Sequence, residues 1–134
     1  MQINKDARRT ERQILIEKLY LYDFYHGKCN GIQFLDLTDI QRVKFNNIIN
    51  EIEQINQIIE SNLFSYSFNR LNLVDKAIIR LATYELLKEN TPYQIIINEA
   101  LELTKEFTEL DDKLQHKFNN KLLDNIKKQV RPNE

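Results

Sequence analysis

Residues 73–88, LVDKAIIRLATYELLK, are apolar around most of a helix circumference. Lys76, Arg80 and Thr83 form a narrow polar strip at the i, i+4, i+7 spacing of one helix face. A helix of that kind has to be covered on nearly every side. It is expected to be the central, most buried helix of the fold. The rest of the chain suits the task of covering it. Its 134 residues hold two glycines and two prolines, and helix formers dominate. No convincing period-two strand appears. QIIIN at 94–98 reads as a short strand in isolation, but it lies inside a longer helical pattern. The spacing predicts an all-α fold of six or seven helices with short connections.

The first helix is expected over 6–25, with apolar rows Leu15–Leu19–Tyr22 and Ile16–Tyr20–Phe24. Its first turns are almost wholly polar, so that end projects from the core. HGKCNG ends it, with Gly27 and Gly31 supplying loop conformations. A second helix is expected from 38 or 39 to 60, carrying the stripe Phe45, Ile48, Ile49, Ile52, Ile55 and Ile59. The aromatic connector LFSYSFNRL leads into the central helix. After it, Thr91 reads as an N-cap and Pro92 as the first helical position. Tyr93, Ile96, Ile97, Ala100, Leu103 and Phe107 should face inward, and Gln94, Asn98, Glu102 and Lys105 outward. Asp111 or Asp112 caps the last helix, whose i+4 row is Leu114, Phe118, Leu122 and Ile126, and Pro132 stops it. The length suits one domain over 1–134, with no repeat or internal boundary.

Several function classes are disfavoured. The net charge of −1 supplies no global positive field, so any nucleic acid must be met by a local patch. Cys29 is the single cysteine, so no internal disulfide forms, which fits a reducing cytoplasm. The start does not read as a signal peptide. No apolar run approaches the ~20 residues of a membrane span. There is no glycine-rich phosphate loop and no GxSxG or HExxH. His26-x-x-Cys29 offers two potential zinc ligands where a closed site needs four. The Asp111–Asp112 pair is explained by the helix macrodipole. An enzyme, a cofactor and a small-molecule substrate are therefore not expected. Glu85 and Glu99 lie on largely apolar helices and need partners, which either an internal pair or a protein interface supplies.

The positive charge gathers in two places. KDARRTERQ, residues 5–13, puts Lys5, Arg8, Arg9 and Arg12 on one side of the first helix. Guanidinium forks fit phosphate oxygens. Asp6–Arg9 and Arg8–Glu11 are i,i+3 pairs that partly offset them. On the last helix, Lys113, Lys117 and Lys121 are four apart, followed by Lys127, Lys128 and Arg131. Each row is either a solvated face or half of an RNA surface, with Tyr20, Tyr22 or Tyr25 available for base stacking. Spacing leaves both open.

The motifs together carry a resemblance. ARRTERQILIEKLY resembles the opening of the NusB proteins. YSFNRL is similar to their aromatic-x-apolar-x-Arg-Leu segment, with Tyr66 where tryptophan is common. VDKAIIRLATYELL and TPYQIIINEALELTKEF resemble their central helices. HKFNNKLLDNI resembles their His-Lys-Phe-Val-Asn-Gly-Val-Leu-Asp segment, and RPNE is a family-type ending. The resemblance runs in order along nearly the whole chain and is thinnest over 33–62.

The resemblance implies two small helical bundles packed together, a NusB-like RNA-binding domain. It implies a bacterial, cytoplasmic transcription antitermination factor with no catalysis and no cofactor. Such a factor binds boxA-type single-stranded RNA together with the small ribosomal-subunit protein NusE, and helps regulate ribosomal RNA transcription in the RNA polymerase antitermination complex. By position, Arg8, Arg9, Arg12, Tyr20, Lys117, Phe118 and Asp124 match RNA-side residues, and Glu85 matches the glutamate associated with NusE docking. Both basic rows are then expected on one surface. Departures from the pattern include Thr10 and Glu11, which make the opening less basic. Lys121 stands where glycine is usual and adds charge toward RNA. Asn119 stands where valine is usual and is expected to loosen local packing. TELDDKLQ is slightly longer than the usual connection. Two alternatives remain: a protein-interaction helical adaptor with little RNA binding of its own, or the NusB-like module of an rRNA methyltransferase.

Overall fold

The structure is a computed structural model. It describes residues 2–25, 36–64, 68, 71–107 and 113–134, with side chains from residue 7 in the first helix and from 114 in the last. Gly27, Gly31, Tyr66 and the His26–Cys29 and Asp111–Asp112 pairs lie outside the described residues, as do the side chains of Lys5, Asp6 and Lys113. Among the described residues there are six α-helices and no strand: α1 (Gln2–Phe24), α2 (Asp39–Asn50), α3 (Ile52–Ser61), α4 (Leu73–Lys88), α5 (Tyr93–Phe107) and α6 (Lys113–Val130).

The central helix is the one its composition marked. Every residue of α4 from Ala77 to Leu86 is buried. Helices α1, α3, α5 and α6 all pack on it. Helices α1, α2 and α3 touch in succession, and α4, α5 and α6 touch one another, so two three-helix groups meet along α4. Even the polar strip is covered. Arg80 donates to Asp23 on α1 at 2.5 Å and to Asn56 on α3 at 3.0 Å, and its guanidinium lies 5.0 Å from the Phe68 ring. A buried cation is tolerable only with such partners. Asn72 caps α4 by accepting the Asp75 N–H at 2.8 Å.

The stretch expected as a single helix from 38 or 39 to 60 is two helices, broken at Glu51. Thr38 opens α2 with a capping box that includes the Gln41 side chain. At Glu51 the backbone departs to φ −101°, ψ 10°. The break lets α2 keep to α1 while α3 turns onto α4 and α6. No glycine or proline marks it, because the bend follows from what Phe45 and Ile48 bury on one side and Ile55, Ile58 and Ile59 on the other. Helix α5 begins at Tyr93, and the Pro92 carbonyl accepts the Ile96 N–H at 3.2 Å. Pro92 therefore holds the position expected of Thr91. Ile96, Ile97, Ala100 and Leu103 face inward as the spacing requires. Phe107 and Leu114 do not: both are exposed, Leu114 at 74%. They continue the apolar period at helix ends, past where neighbouring helices cover it.

Asn119 overturns the expectation of looser packing. It is 0% exposed. Its Nδ2 donates to Asp75 Oδ1 on α4 and to Thr104 Oγ1 on α5, each at 3.2 Å, and its Oδ1 accepts from Gln115 at 2.9 Å. A satisfied buried amide of this kind ties three helices in one register.

Candidate nucleic-acid interface

The arginine stretch divides as α1 meets the body of the protein. Arg8 is exposed and Arg9 partly so. Arg12 is 6% exposed, because it sits one turn before Leu15 and Ile16 on the same buried stripe. Its Nε lies 3.2 Å from both carboxylate oxygens of Glu85, and its Nη1 lies 3.8 Å from Glu99. Arg9 forks onto Glu99, with Nε at 3.1 Å and Nη2 at 2.5 Å. Lys44 of α2 reaches Glu85 at 2.9 Å, Glu89 at 3.1 Å and Glu11 at 3.4 Å. The result is an ionic cluster of Arg9, Arg12 and Lys44 with Glu11, Glu85, Glu89 and Glu99, joining α1, α2, α4 and α5.

This corrects two expectations of position. Arg12, matched to an RNA contact, and Glu85, matched to a docking surface, are both buried, Glu85 at 1%, and they pair with each other. Of the two sources of partners open to Glu85 and Glu99, the internal pair is the one realised. Glu11, read as a counter-charge to Arg8, reaches across to Lys44. Burial works against the charge on Lys44, but Glu85 and Glu89 outweigh it and hold the ammonium above its ordinary value of 10.5. The Glu99 hydrogen bond likewise holds the Arg9 guanidinium above its ordinary value, against a smaller opposing effect of burial.

A raised folded-state value means that the Lys44 contribution to stability is fully present below pH 10.5 and fades as pH rises through the higher folded value. Urea unfolding across the alkaline range should show an extra loss of stability above about pH 10.5 that Lys44→Gln abolishes. Parallel curves for the two proteins would remove Lys44 from the cluster.

The α6 row divides as well. Lys117, Lys121 and Lys128 are exposed. Lys127 is buried, with Nζ 4.4 Å from the centre of the Tyr93 ring. Arg131 turns inward and donates to the carbonyls of Glu85, Leu86, Glu89 and Thr91 at the end of α4. Asp124 is half-buried and pairs with Lys128 at 3.4 Å. Lys117, Phe118 and Lys121 line a groove of about 460 Å³ with Leu63 and Phe64 from the end of α3. Tyr20 is half-buried and stacks on Phe24 with ring centres 6.2 Å apart, and Phe24 meets Tyr25 edge-on at 5.1 Å. Phe24 and Tyr25 are exposed, so this trio forms an aromatic surface at the end of α1.

The two basic rows stand on different helices, and both reach Glu85, whose carboxylate pairs with Arg12 and whose carbonyl accepts from Arg131. Helix α1 packs on α2 and α4, whereas α6 packs on α3, α4 and α5. Arg12 is anchored at Glu85 and Asn119 at Asp75, ten residues away along α4, or about 15 Å of helix. Spacing did not single out Lys44, Glu89 or Phe64, and it placed Arg131 with the solvated lysines. The signal for Lys44 was present: it lies four residues before Ile48 on the apolar side of α2. No spacing rule marks Arg131, whose partners are backbone carbonyls.

Among the described residues no group of three or more His, Cys, Asp or Glu side chains is placed to hold a metal ion, and no helix is long and apolar enough to cross a membrane. What the fold and its surface define is an all-helical protein built round one buried helix, carrying exposed cations on α1 and α6 and an exposed aromatic cluster. The model of the NusB family matches residues 1–128, and the chain belongs to that family. It is 34% identical to transcription antitermination protein NusB of Pseudomonas fluorescens (strain Pf0-1), over 98% of this chain and 83% of that one. It is 37% identical to the protein of that name from Aliarcobacter butzleri (strain RM4018), over 91% and 98%. The solved structure of T. maritima NusB superimposes with a TM-score of 0.79 at 31% identity, covering 93% of both chains.

Proposed function

We propose that this chain is a transcription antitermination factor that binds boxA-type single-stranded RNA together with NusE, within the RNA polymerase antitermination complex on ribosomal RNA genes. The observation that carries the RNA reading is the α6 patch, where exposed Lys117 and Lys121 flank a groove beside Phe118. Cations beside aromatic rings are the arrangement by which single strands are held. The names of the relatives support the antitermination part of the reading. In this proposal Arg8, Lys117 and Lys121 meet phosphates directly. Arg9 does so from the edge of the ionic cluster, and Tyr20 contributes through the aromatic surface it shares with Phe24. Arg12 acts as a positioning residue that fixes the start of α1. Phe118 supports the groove, and Asp124 sets the charge of the adjoining turn through Lys128. Glu85 serves NusE by holding the corner of α1, α2 and α4. The proposed protein works in the cytoplasm as one RNA-binding domain over 1–134, with no catalytic step and no cofactor.

The test is RNA binding to the chain with and without NusE, comparing boxA with a scrambled sequence across a salt series. Charge reversal at Arg8 and Lys117 together should weaken boxA binding by at least about tenfold at fixed salt. It should also lower the salt slope by roughly 0.7 for each phosphate no longer neutralised. Affinity and slope equal to those of the unaltered protein would sink the assignment. A second reading has its own observation: Glu99 and Glu85 already engage Arg9 and Arg12. If NusE binds but RNA is captured neither by the chain nor by the pair, the protein-interaction adaptor is the correct description.

A further inference from the structure

We propose that the groove between the end of α3 and the first half of α6 receives one unpaired base of the RNA, stacked on Phe64, with the neighbouring phosphates on Lys117 and Lys121. The inference rests on the RNA-binding reading above and adds to it a base-holding site and the residue that makes it. Phe64 is 80% exposed and Leu114 74% exposed, and both line the same groove, so its apolar surface lies open to water. It borders a groove of about 460 Å³, within the range of sites that enclose small ligands and large enough for a nucleotide. Among the described residues the lining carries Lys117 and Lys121 and no carboxylate. Four residues apart, these two lysines leave α6 about one turn from each other, roughly 6 Å along the axis.

The turn that leads to Phe64 is tied to α6. Gln129 Oε1 on α6 accepts from Asn62 Nδ2 at 2.7 Å, two residues before Phe64. A tie of this kind spares part of the ordering cost of binding. The charge favours a nucleotide over an apolar peptide helix. Apolar side chains line the groove beside Lys117 and Lys121, with no carboxylate among the described residues, so it complements a ligand that joins a flat apolar ring to an anion. An aromatic face beside cations, with no dedicated reader of base edges, is how sequence-tolerant single-strand sites are built.

The experiment uses the full chain with NusE and boxA oligonucleotides carrying a single abasic position, moved one nucleotide at a time. Phe64→Ala should weaken binding of the intact RNA roughly 5- to 100-fold, and Phe64→Tyr should leave it within about twofold. One abasic position should reproduce the Phe64→Ala loss, and at that position the variant should add nothing further. Because Phe64 is mostly in solvent, truncating it should not unfold the protein. Unchanged affinity in Phe64→Ala, or losses that add at every abasic position, would overturn the base site. In that case a surviving effect of Arg8 and Lys117 reversal would leave the RNA function standing. Failure of the unaltered protein to bind RNA even with NusE would end both proposals, and capture of an acidic apolar peptide in the groove would reassign it.

Discussion

Glu85→Ala is expected to lower the unfolding free energy by about 3–5 kcal/mol, measured by urea denaturation near neutral pH. The Glu85 side chain is buried, and it is shared by Arg12 and Lys44. Removing it strips the nearest anion from two cations that water barely reaches, and a truncated partner in a buried pair costs far more than the pair contributes. Glu85→Gln should cost less, since the amide oxygen still accepts one hydrogen bond. A Glu85→Leu and Arg12→Met double variant should recover part of the loss, because apolar groups of similar size replace that pair while Lys44 keeps Glu11 and Glu89 and Glu99 keeps Arg9. A loss below about 1 kcal/mol in Glu85→Ala would mean that the cluster is hydrated and contributes little. The result also bears on docking: loss of NusE binding in a Glu85 variant is interpretable only beside its stability.

That dependence shows where sequence reading stopped. Apolar spacing is a local property, so it found the central helix, the inward face of α5 as far as Leu103 and the Leu15, Ile16 and Leu19 part of the rows on α1, but not their ends at Phe107 and Phe24, which are exposed. It read straight through Glu51, since a bend made by packing leaves no glycine or proline behind. Charge spacing was the weaker guide. Arg8 and Arg12 lie one turn apart and looked alike, yet one faces solvent and the other faces Glu85, 73 positions away in the chain. Arg12 also stands i+3 and i+4 before Leu15 and Ile16, and that row outweighs its charge in deciding where it points. Asn119 was read as a flaw in packing because its partners, Asp75 and Thr104, come from two other helices. Phe64 stood unremarked inside an aromatic connector, and which of those rings stays uncovered depends on the whole fold.

Arg131→Ala is expected to cost about 2–4 kcal/mol of stability while leaving RNA affinity within about twofold at temperatures where the variant stays folded. The last carbonyls of a helix have no partners within it. Arg131 supplies one for α4, with Nε 2.7 Å from the Leu86 oxygen, and reaches past its end with Nη2 2.5 Å from the Glu89 oxygen and Nη1 2.6 Å from that of Thr91; Nη2 is also 3.1 Å from the Glu85 oxygen, which already accepts the Glu89 N–H at 3.0 Å. A guanidinium at a helix C-terminus also complements the macrodipole. Its hydrogen bonds span the turn between α4 and α5, so one side chain from α6 closes the corner whose other face is the Glu85 cluster. Arg131→Lys should recover less than half of the loss, because a single ammonium cannot reproduce the fork. Thermal unfolding decides the structural role and RNA titration decides the alternative. An Arg131→Ala protein that melts like the unaltered one but loses RNA would return Arg131 to the basic row of α6, as a ligand for phosphate rather than a cap for α4.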